Sequence, residues 1–168
     1  MINLADLPPP PTAPYPDVAR MLDQYRGEER GLYFGTAVKY LNETERLAYK
    51  ITVKEDGKLY DAQGQLFDTA HALSALGSVS GKAIFVMDSE GNFYASNHQP
   101  VGKFHHSSFL AGDSVAFAGE LDVCAGELRE LTPRSGHYRP TSAQQTQALN
   151  RLSALGVKSE FKVEWAQS

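Results

Sequence analysis

The centre of this sequence is residues 103–141, KFHHSSFLAGDSVAFAGELDVCAGELRELTPRSGHYRPT. Two polar motifs stand at its ends, HHSS at residues 105–108 (the first motif) and SGHYRP at residues 135–140 (the second motif). Between them, apolar and polar residues alternate over 115–123 and again over 128–131, which is typical of half-buried strands. Two such strands joined by a short turn predict a hairpin, and a hairpin would bring the two motifs together around one site.

The first motif offers side chains suited to a general acid or base. A neutral imidazole beside a hydroxyl can take or give a proton near neutral pH, so His106, Ser107 and Ser108 are candidate catalytic residues. Adjacent residues of a strand point to opposite faces, so at most one of the two histidines is expected in a given pocket, and His105 is assigned to substrate binding. The alternative is structural: one histidine caps a turn while the serines bond the nearby backbone.

The second motif combines a hydroxyl, an imidazole, a phenol and a guanidinium. Arg139 can bind a phosphate or a carboxylate, and the helix predicted to begin near Thr141 adds amide donors at the same place. Ser135 and Tyr138 complete the candidate substrate-binding residues, and His137 is the second candidate for moving protons. The alternative is a turn in which Tyr138 fills the core and Arg139 pairs with an acidic neighbour.

Glu120 is the candidate carboxylate of the site. It stands in the predicted strand beside Gly119, which has no side chain, and from there it could reach a bound ligand; a solvated surface glutamate is the alternative. No metal is expected, because the histidines do not fall at the i, i+4 spacing of a helical metal site. The single cysteine, Cys124, cannot supply a cysteine zinc site.

The rest of the chain predicts a single α+β domain with a mostly antiparallel sheet of about seven strands, one N-terminal helix and one C-terminal helix. The clearest further strand signals are a continuous apolar run at 83–87 and an alternating run that begins at residue 49. The C-terminal helix is predicted to begin at Thr141 and to end at Gly156. A capping pattern over 42–45 predicts one more short helix.

Further predictions concern the segments before and between these elements. Apolar residues recur at i, i+3, i+4 and i+7 over 18–25, which predicts the N-terminal helix. Residues 32–41 predict a strand or a strand leading into a turn, and residues 68–76 predict a short helix. Residues 1–16 are rich in proline and are predicted to be an arm or linker, which leaves residues 17–168 as the domain.

Length and charge limit the classes of function. A chain of 168 residues with a net charge of −4 fits one soluble domain and does not predict non-specific binding to nucleic acid. No apolar run is long enough to span a bilayer, so a membrane is not an expected partner. The N-terminus lacks the basic and apolar regions of a secretory signal peptide. The expected location is the cytoplasm of the cell that makes the protein, or export by a system that needs no signal peptide.

Several segments resemble a known family. The first motif within FHHSSFLAG, the AG at 118–119 and the second motif within SGHYRPT are similar to the core domain of the plant IQM proteins, a calmodulin-binding family with an IQ motif. Weaker similarity over 39–69 and 82–96 extends the resemblance to most of the chain. The resemblance favours a binding module. It does not carry calmodulin over to this chain, because residues 24–30 only echo an IQ motif and have the wrong spacing.

The two motifs also resemble HSS and SGHY domains of bacterial effectors and polymorphic toxins. That resemblance favours an enzyme, a metal-independent transferase on a phosphate-bearing substrate, with NAD-dependent ADP-ribosyl transfer as the leading version and RNA cleavage as the second. NAD is then the candidate substrate, and a host or target-cell protein and a cognate immunity protein are the candidate partners. The alternative is a non-catalytic module that binds a protein or another ligand.

Overall fold

A computed structural model describes residues 15–157 and 160–167 of the chain. Within them the strands are β1 Lys50–Val53, β2 Leu59–Tyr60, β3 Ala83–Met87, β4 Phe93–Ser96, β5 Phe117–Cys124, β6 Glu127–Thr132 and β7 Lys162–Val163. The α-helices are α1 Glu43–Arg46, α2 His106–Phe109 and α3 Ser142–Ala154, and short 3-10 turns cover Asp23–Tyr25, Glu28–Arg30 and Leu47–Tyr49.

The strands form one sheet in the order β2-β1-β4-β3-β5-β6-β7. Neighbouring strands are antiparallel except β6 and β7, which run parallel. β3 lies in the middle of this order and all of its residues are buried, as its continuous apolar sequence predicts. The predicted α+β class with a mostly antiparallel sheet of about seven strands is confirmed.

Both faces of the sheet are covered by other parts of the chain. Alternate residues of a strand point to opposite faces, so β3 contributes to two separate buried clusters. On one face, Phe85 of β3 shares a buried cluster with Leu149 of α3. On the other face, Ile84 of β3 shares a buried cluster with Phe109 of α2 and Tyr138 of the second motif. The two motifs therefore lie on the face opposite α3, which we call the second face.

Two predicted helix starts are confirmed together with their capping boxes. The Asn42 side chain accepts from the Glu45 N–H, and the Glu45 carboxylate accepts from the Asn42 N–H. Thr141 and Gln144 exchange the same pair of bonds at the start of α3, and Gly156 follows α3 with a left-handed φ of 94°. These bonds satisfy backbone N–H groups that the first turn of a helix leaves without partners.

Residues 15–41 form an irregular segment, which we call the strap. It begins with Tyr15 in the buried cluster beside α3 and then contributes Ala19, Met21 and Leu41 to the buried cluster of the second face. The N-terminal helix predicted over 18–25 is wrong. Ala19 and Val115 exchange both backbone hydrogen bonds of an isolated β-bridge, and helical structure between residues 18 and 25 is limited to the 3-10 turn Asp23–Tyr25. The apolar residues of the segment pack against the sheet while the backbone is extended. Their helical spacing in the sequence therefore does not correspond to a helix.

Two other element predictions are also wrong. The strand predicted over 32–41 is absent because the chain turns there, after Gly31 with its left-handed φ of 81°. The helix predicted over 68–76 is replaced by turns. Thr69 bonds both backbone groups of Val123 in β5 through its own backbone and hydroxyl, and these bonds hold the segment against the sheet.

Residues 1–14 of the predicted proline-rich arm lie outside the described residues. Tyr15, which follows them, is buried, and its N–H donates to the carbonyl oxygen of Ser89. Of the helices in the described part of the chain, none is long and apolar enough to cross a membrane.

Candidate functional site

The two motifs meet on the second face, as the predicted hairpin requires. β5 and β6 form that hairpin, and the ring centroids of His105 and His137 lie 4.8 Å apart. The prediction that the two motifs converge is confirmed. What the side chains of the two motifs can do there depends on the atoms that each of them contacts.

The first motif forms α2 and not part of a strand, so the argument from strand alternation is wrong. His105 precedes the helix, and its N–H donates to the Ser108 Oγ at 3.0 Å. The His105 Nε2 accepts from the Gly102 N–H at 2.9 Å. Burial lowers the pKa of His105 to about 4, so the ring is neutral near neutral pH and keeps the lone pair that accepts this bond. These contacts match the structural alternative, a capped turn.

His106 is buried against β5. Its Nε2 lies 2.8 Å from the carbonyl oxygen of Gly119 and donates to it, because a carbonyl oxygen only accepts. Burial lowers the pKa of His106 to about 4. The imidazole is therefore neutral and links α2 to the middle of β5, and its bonded nitrogen is not free to exchange a proton with a substrate.

A buried carboxylate of the strap, Glu28, holds His137. The His137 Nε2 donates to Oε1 of Glu28, and the Tyr40 hydroxyl donates to Oε2, both at 2.7 Å. Glu28 is 0% exposed. Burial alone would raise the pKa of this carboxyl, but the hydrogen bonds from His137 and Tyr40 outweigh burial and lower the pKa below its ordinary value. The second face thus contains an ionised, fully buried glutamate.

Glu28 is absent from the predicted site residues, because no local sequence signal marks it. It lies 109 residues from His137 along the chain. The next residue, Glu29, has the same side chain and is exposed. Only the three-dimensional path of the strap distinguishes the two glutamates.

Aromatic rings of the strap cover both histidines. Tyr25 stacks on His137 with ring centroids 3.8 Å apart, and Phe34 stacks on His105 at 4.8 Å. Tyr33 packs against Tyr25 at 4.7 Å. These rings occupy the space over the two imidazoles, where the sequence predicts a substrate.

The remaining hydroxyls of the two motifs are buried. The Ser135 Oγ accepts from the Tyr138 N–H at 3.3 Å, and the Tyr138 hydroxyl donates to the carbonyl oxygen of Asp113 at 2.8 Å. Tyr138 thus fills the core, as the structural alternative for the second motif states. Ser107 is fully buried, and its hydroxyl has no hydrogen-bond partner among the described residues.

Two predicted site residues have other surroundings. The Glu120 Oε1 accepts from the Thr132 hydroxyl at 3.1 Å, a cross-strand bond between β5 and β6. Arg139 is exposed and is the residue of the second motif with a left-handed φ, 44°. It borders a surface pocket with Gly136 and Pro140. The ligand-binding roles of Glu120 and Arg139 stay predictions.

The arrangement is suited to holding a segment of chain in place. The buried Glu28 carboxylate accepts hydrogen bonds from a buried imidazole and from a half-buried phenol, burial strengthens such bonds, and aromatic rings stack beside them. In the part of the chain that the structure describes, no group of three His, Cys, Asp or Glu side chains could hold a metal ion.

The pKa of His106 makes the stability of the fold depend on pH. Between 6.5, its ordinary value, and about 4, its folded value, the unfolded chain binds a proton that the folded chain does not. The contribution of His106 to the unfolding free energy is therefore complete above this pH range and is lost as the pH falls through the range. We expect His106 alone to cost about 2 kcal/mol of unfolding free energy between about pH 8 and about pH 5. Urea denaturation at both pH values measures the loss.

The matched variant for this measurement is His106→Gln, which keeps a side-chain donor but does not titrate. The acid loss in this variant should be smaller by the contribution of His106, while His105 and Glu28 continue to contribute in the same direction. An equal loss in the two proteins would show that the His106 imidazole is not shielded from protons in the folded chain.

Comparison with known proteins places these residues in a family context. Residues 45–145 match the model of the IQ motif-containing protein middle domain. IQ domain-containing protein IQM2 of Arabidopsis thaliana is 41% identical over 105 residues, which are 62% of this chain and 16% of that protein. IQ domain-containing protein IQM3 of the same plant is 38% identical over 104 residues, 62% of this chain and 22% of that protein. The chain thus spans less than a quarter of the length of these relatives. No solved structure matches it.

These relatives decide between the hypotheses. They are plant IQ-motif proteins, so the predicted bacterial effector or toxin function, with NAD-dependent ADP-ribosyl transfer or RNA cleavage, is wrong. The cognate immunity protein depended on that hypothesis. The prediction against calmodulin also has no support from relatives named for an IQ domain. With a family model matched over more than half of its length, the chain belongs to the IQ motif-containing protein middle domain family.

Proposed function

We propose that the chain is a non-catalytic protein-interaction module. The observation that carries the proposal is that the rings of Tyr25 and Phe34 cover His137 and His105, at 3.8 Å and 4.8 Å, while His106 is buried against β5. Acid or base catalysis needs an imidazole nitrogen within reach of a substrate. The names of the relatives, which describe an IQ domain and no catalytic activity, support the same proposal.

An apolar groove on the described surface offers a place for a partner. Its volume is about 530 Å³, and it is lined by residues 73–77, 98–101 and Lys103. Leu76 and Val101 line it, and Val79 is paired with lining residue Leu73 in an isolated β-bridge. Leu76 is 89% exposed, Val79 70% and Val101 50%. Clusters of exposed apolar side chains mark interaction surfaces in soluble proteins.

The charge of the groove indicates the chemistry of the partner. Its lining includes Lys103 and His98 but no carboxylate, although the chain as a whole has a net charge of −4. A partner that inserts apolar side chains and carries acidic groups beside them would complement this lining. We therefore take an acidic protein with an exposed apolar segment as the occupant of the groove.

Binding measurements with purified proteins test this proposal. Proteins captured by the full chain are purified and titrated against it, and calmodulin, with and without calcium, is included from the start because the relatives carry an IQ domain. For the true partner we expect the double substitution Leu76→Ser and Val79→Ser to weaken binding by at least about tenfold, since truncated apolar contacts at an interface centre cost more than about 1.4 kcal/mol.

The control variant is Leu47→Ser, which removes a leucine that is also exposed but lies outside the groove. It should bind the partner as the natural chain does. Equal affinities for the groove variant and the control, or no protein that binds the purified chain, would contradict the proposed interaction through this groove.

A further inference from the structure

The strap lies on the second face in the way that a bound peptide would. Its backbone N–H groups donate to carbonyl oxygens of α2 and of the connecting segments beneath it: Ala19 to Val115, Leu22 to His137, Lys39 to Lys103 and Leu41 to Ser108. Val115 returns a bond to Ala19 at 3.0 Å. Extended peptides dock on protein surfaces by this combination of main-chain bonds and side-chain pockets.

The strap and the surface beneath it differ in their relation to the family. The family match begins at residue 45 and ends at residue 145, so the strap lies outside it. The four carbonyl oxygens that accept from the strap all lie within the matched range. The receiving surface is therefore part of the family domain, while the segment that covers it comes from the flanking chain.

The side-chain contacts of the strap define what the surface recognises. Glu28 enters a fully buried position, where His137 donates to its carboxylate. Tyr25, three residues before Glu28, stacks on His137, and Phe34, six residues after it, stacks on His105. A buried charge needs a partner of this kind, and an apolar residue at the same place would leave the imidazole without its acceptor.

The middle of the strap has the properties of a segment that can separate from the fold. Most residues over 29–37 are exposed, among them Leu32 and Tyr33. Gly31 and Gly35 allow the left-handed turns of this part. Segments with few buried contacts open at a lower free energy than the core does.

We propose that the second face is a peptide-binding site of the domain, and that the strap occupies it in cis until a partner segment displaces it. The partner segment carries a glutamate with an aromatic residue three positions before it. The inference rests on the proposed interaction function, but it concerns a different surface, which adjoins the groove at Lys103.

A cleavable strap provides the experiment. A protease site is inserted after Gly35 of the full chain, where no neighbouring atom lies within 4 Å of a Cβ position. After cleavage, a fluorescent peptide of residues 15–35 is added in excess, binding is read by fluorescence anisotropy, and circular dichroism follows the fold. We expect the peptide to bind the cleaved chain, and to bind the uncleaved chain at least about tenfold more weakly, because the tethered strap competes at a high effective concentration.

Two variant peptides provide the matched control. Glu28→Gln should bind the cleaved chain about tenfold more weakly, because it loses the charged acceptor of His137. Glu29→Gln changes the exposed neighbour and should bind as the natural peptide does. Equal binding of the two variants, no binding of the natural peptide, or loss of the fold when the cleaved fragment leaves would each overturn the proposal.

The groove substitutions separate this result from the test of the proposed function. Leu76→Ser and Val79→Ser lie outside the strap and its contacts, so they should leave peptide binding unchanged. If the strap peptide does not bind but the groove substitutions still weaken binding of the protein partner, the proposed interaction function stands and the proposed peptide site does not.

Discussion

Replacing Glu28 by alanine should lower the unfolding free energy by about 2–6 kcal/mol, because it removes the buried carboxylate that accepts two hydrogen bonds. The substitution leaves the His137 Nε2–H and the Tyr40 hydroxyl without the carboxylate oxygens that accept from them at 2.7 Å. Each orphaned buried donor costs roughly 1–3 kcal/mol. A domain of this size has only about 5–15 kcal/mol in total. Urea denaturation near neutral pH should show the loss as a lower midpoint with an unchanged slope.

Two variants check that this loss belongs to the buried carboxylate. Glu29→Ala removes the exposed neighbouring glutamate and should change the unfolding free energy by less than about 0.5 kcal/mol. Glu28→Gln keeps an oxygen that accepts, so its loss should lie between those of the two alanine variants. A midpoint for Glu28→Ala equal to that of Glu29→Ala would mean that the strap does not depend on its contact with His137.

The parts of the fold that sequence analysis predicts correctly depend on neighbours in the chain. The β5–β6 hairpin follows from alternation on both sides of one short turn, and the starts of α1 and α3 follow from capping residues three positions apart. In each case the pattern and the contact that satisfies it lie within a few residues of each other. Interactions between residues that are close in the sequence are therefore sufficient to predict these elements.

The conformation of the strap does not follow from local sequence patterns. Its apolar residues over 18–25 have helical spacing, but Ala19 pairs with Val115, far away in the sequence. Once the backbone bonds of a segment are satisfied by a distant strand, helix propensity no longer decides its conformation. Glu28 could not be found for the same reason, because a glutamate is buried only where a distant donor, here His137, meets it.

The meeting of the two motifs was predicted correctly, but the residue types in them do not decide what the side chains do. The hairpin does bring His105 and His137 together. The same polar side chains that serve catalysis also satisfy buried backbone groups, as His106 does with the carbonyl oxygen of Gly119. Residue types alone do not distinguish these uses, since the distinction lies in whether the nitrogen faces a cavity or a protein atom.

Gly119 in β5 carries the second large effect, and we expect Gly119→Ala to cost about 4 kcal/mol or more. A Cβ at this position would overlap the carbonyl oxygen of Thr132 in β6 and lie 3.2 Å from the Phe117 ring. Because the first of these atoms belongs to the backbone, no rotamer change relieves the overlap, and β5 must move away from β6. That movement also displaces the carbonyl oxygen that accepts from His106. Soluble yield and urea denaturation measure the effect.

The matched control is Gly136→Ala in the second motif, where φ lies outside the left-handed region and the nearest atom to an added Cβ is the Tyr25 hydroxyl at 3.8 Å. This variant should lie within about 0.5 kcal/mol of the natural chain. Hydrogen exchange should also rise across β5, β6 and α2 in Gly119→Ala alone, because the hairpin and the helix share the bond between His106 and Gly119. If the two variants unfold at the same urea concentration, β5 and β6 can separate here at little cost, and the burial of His106 must have another cause.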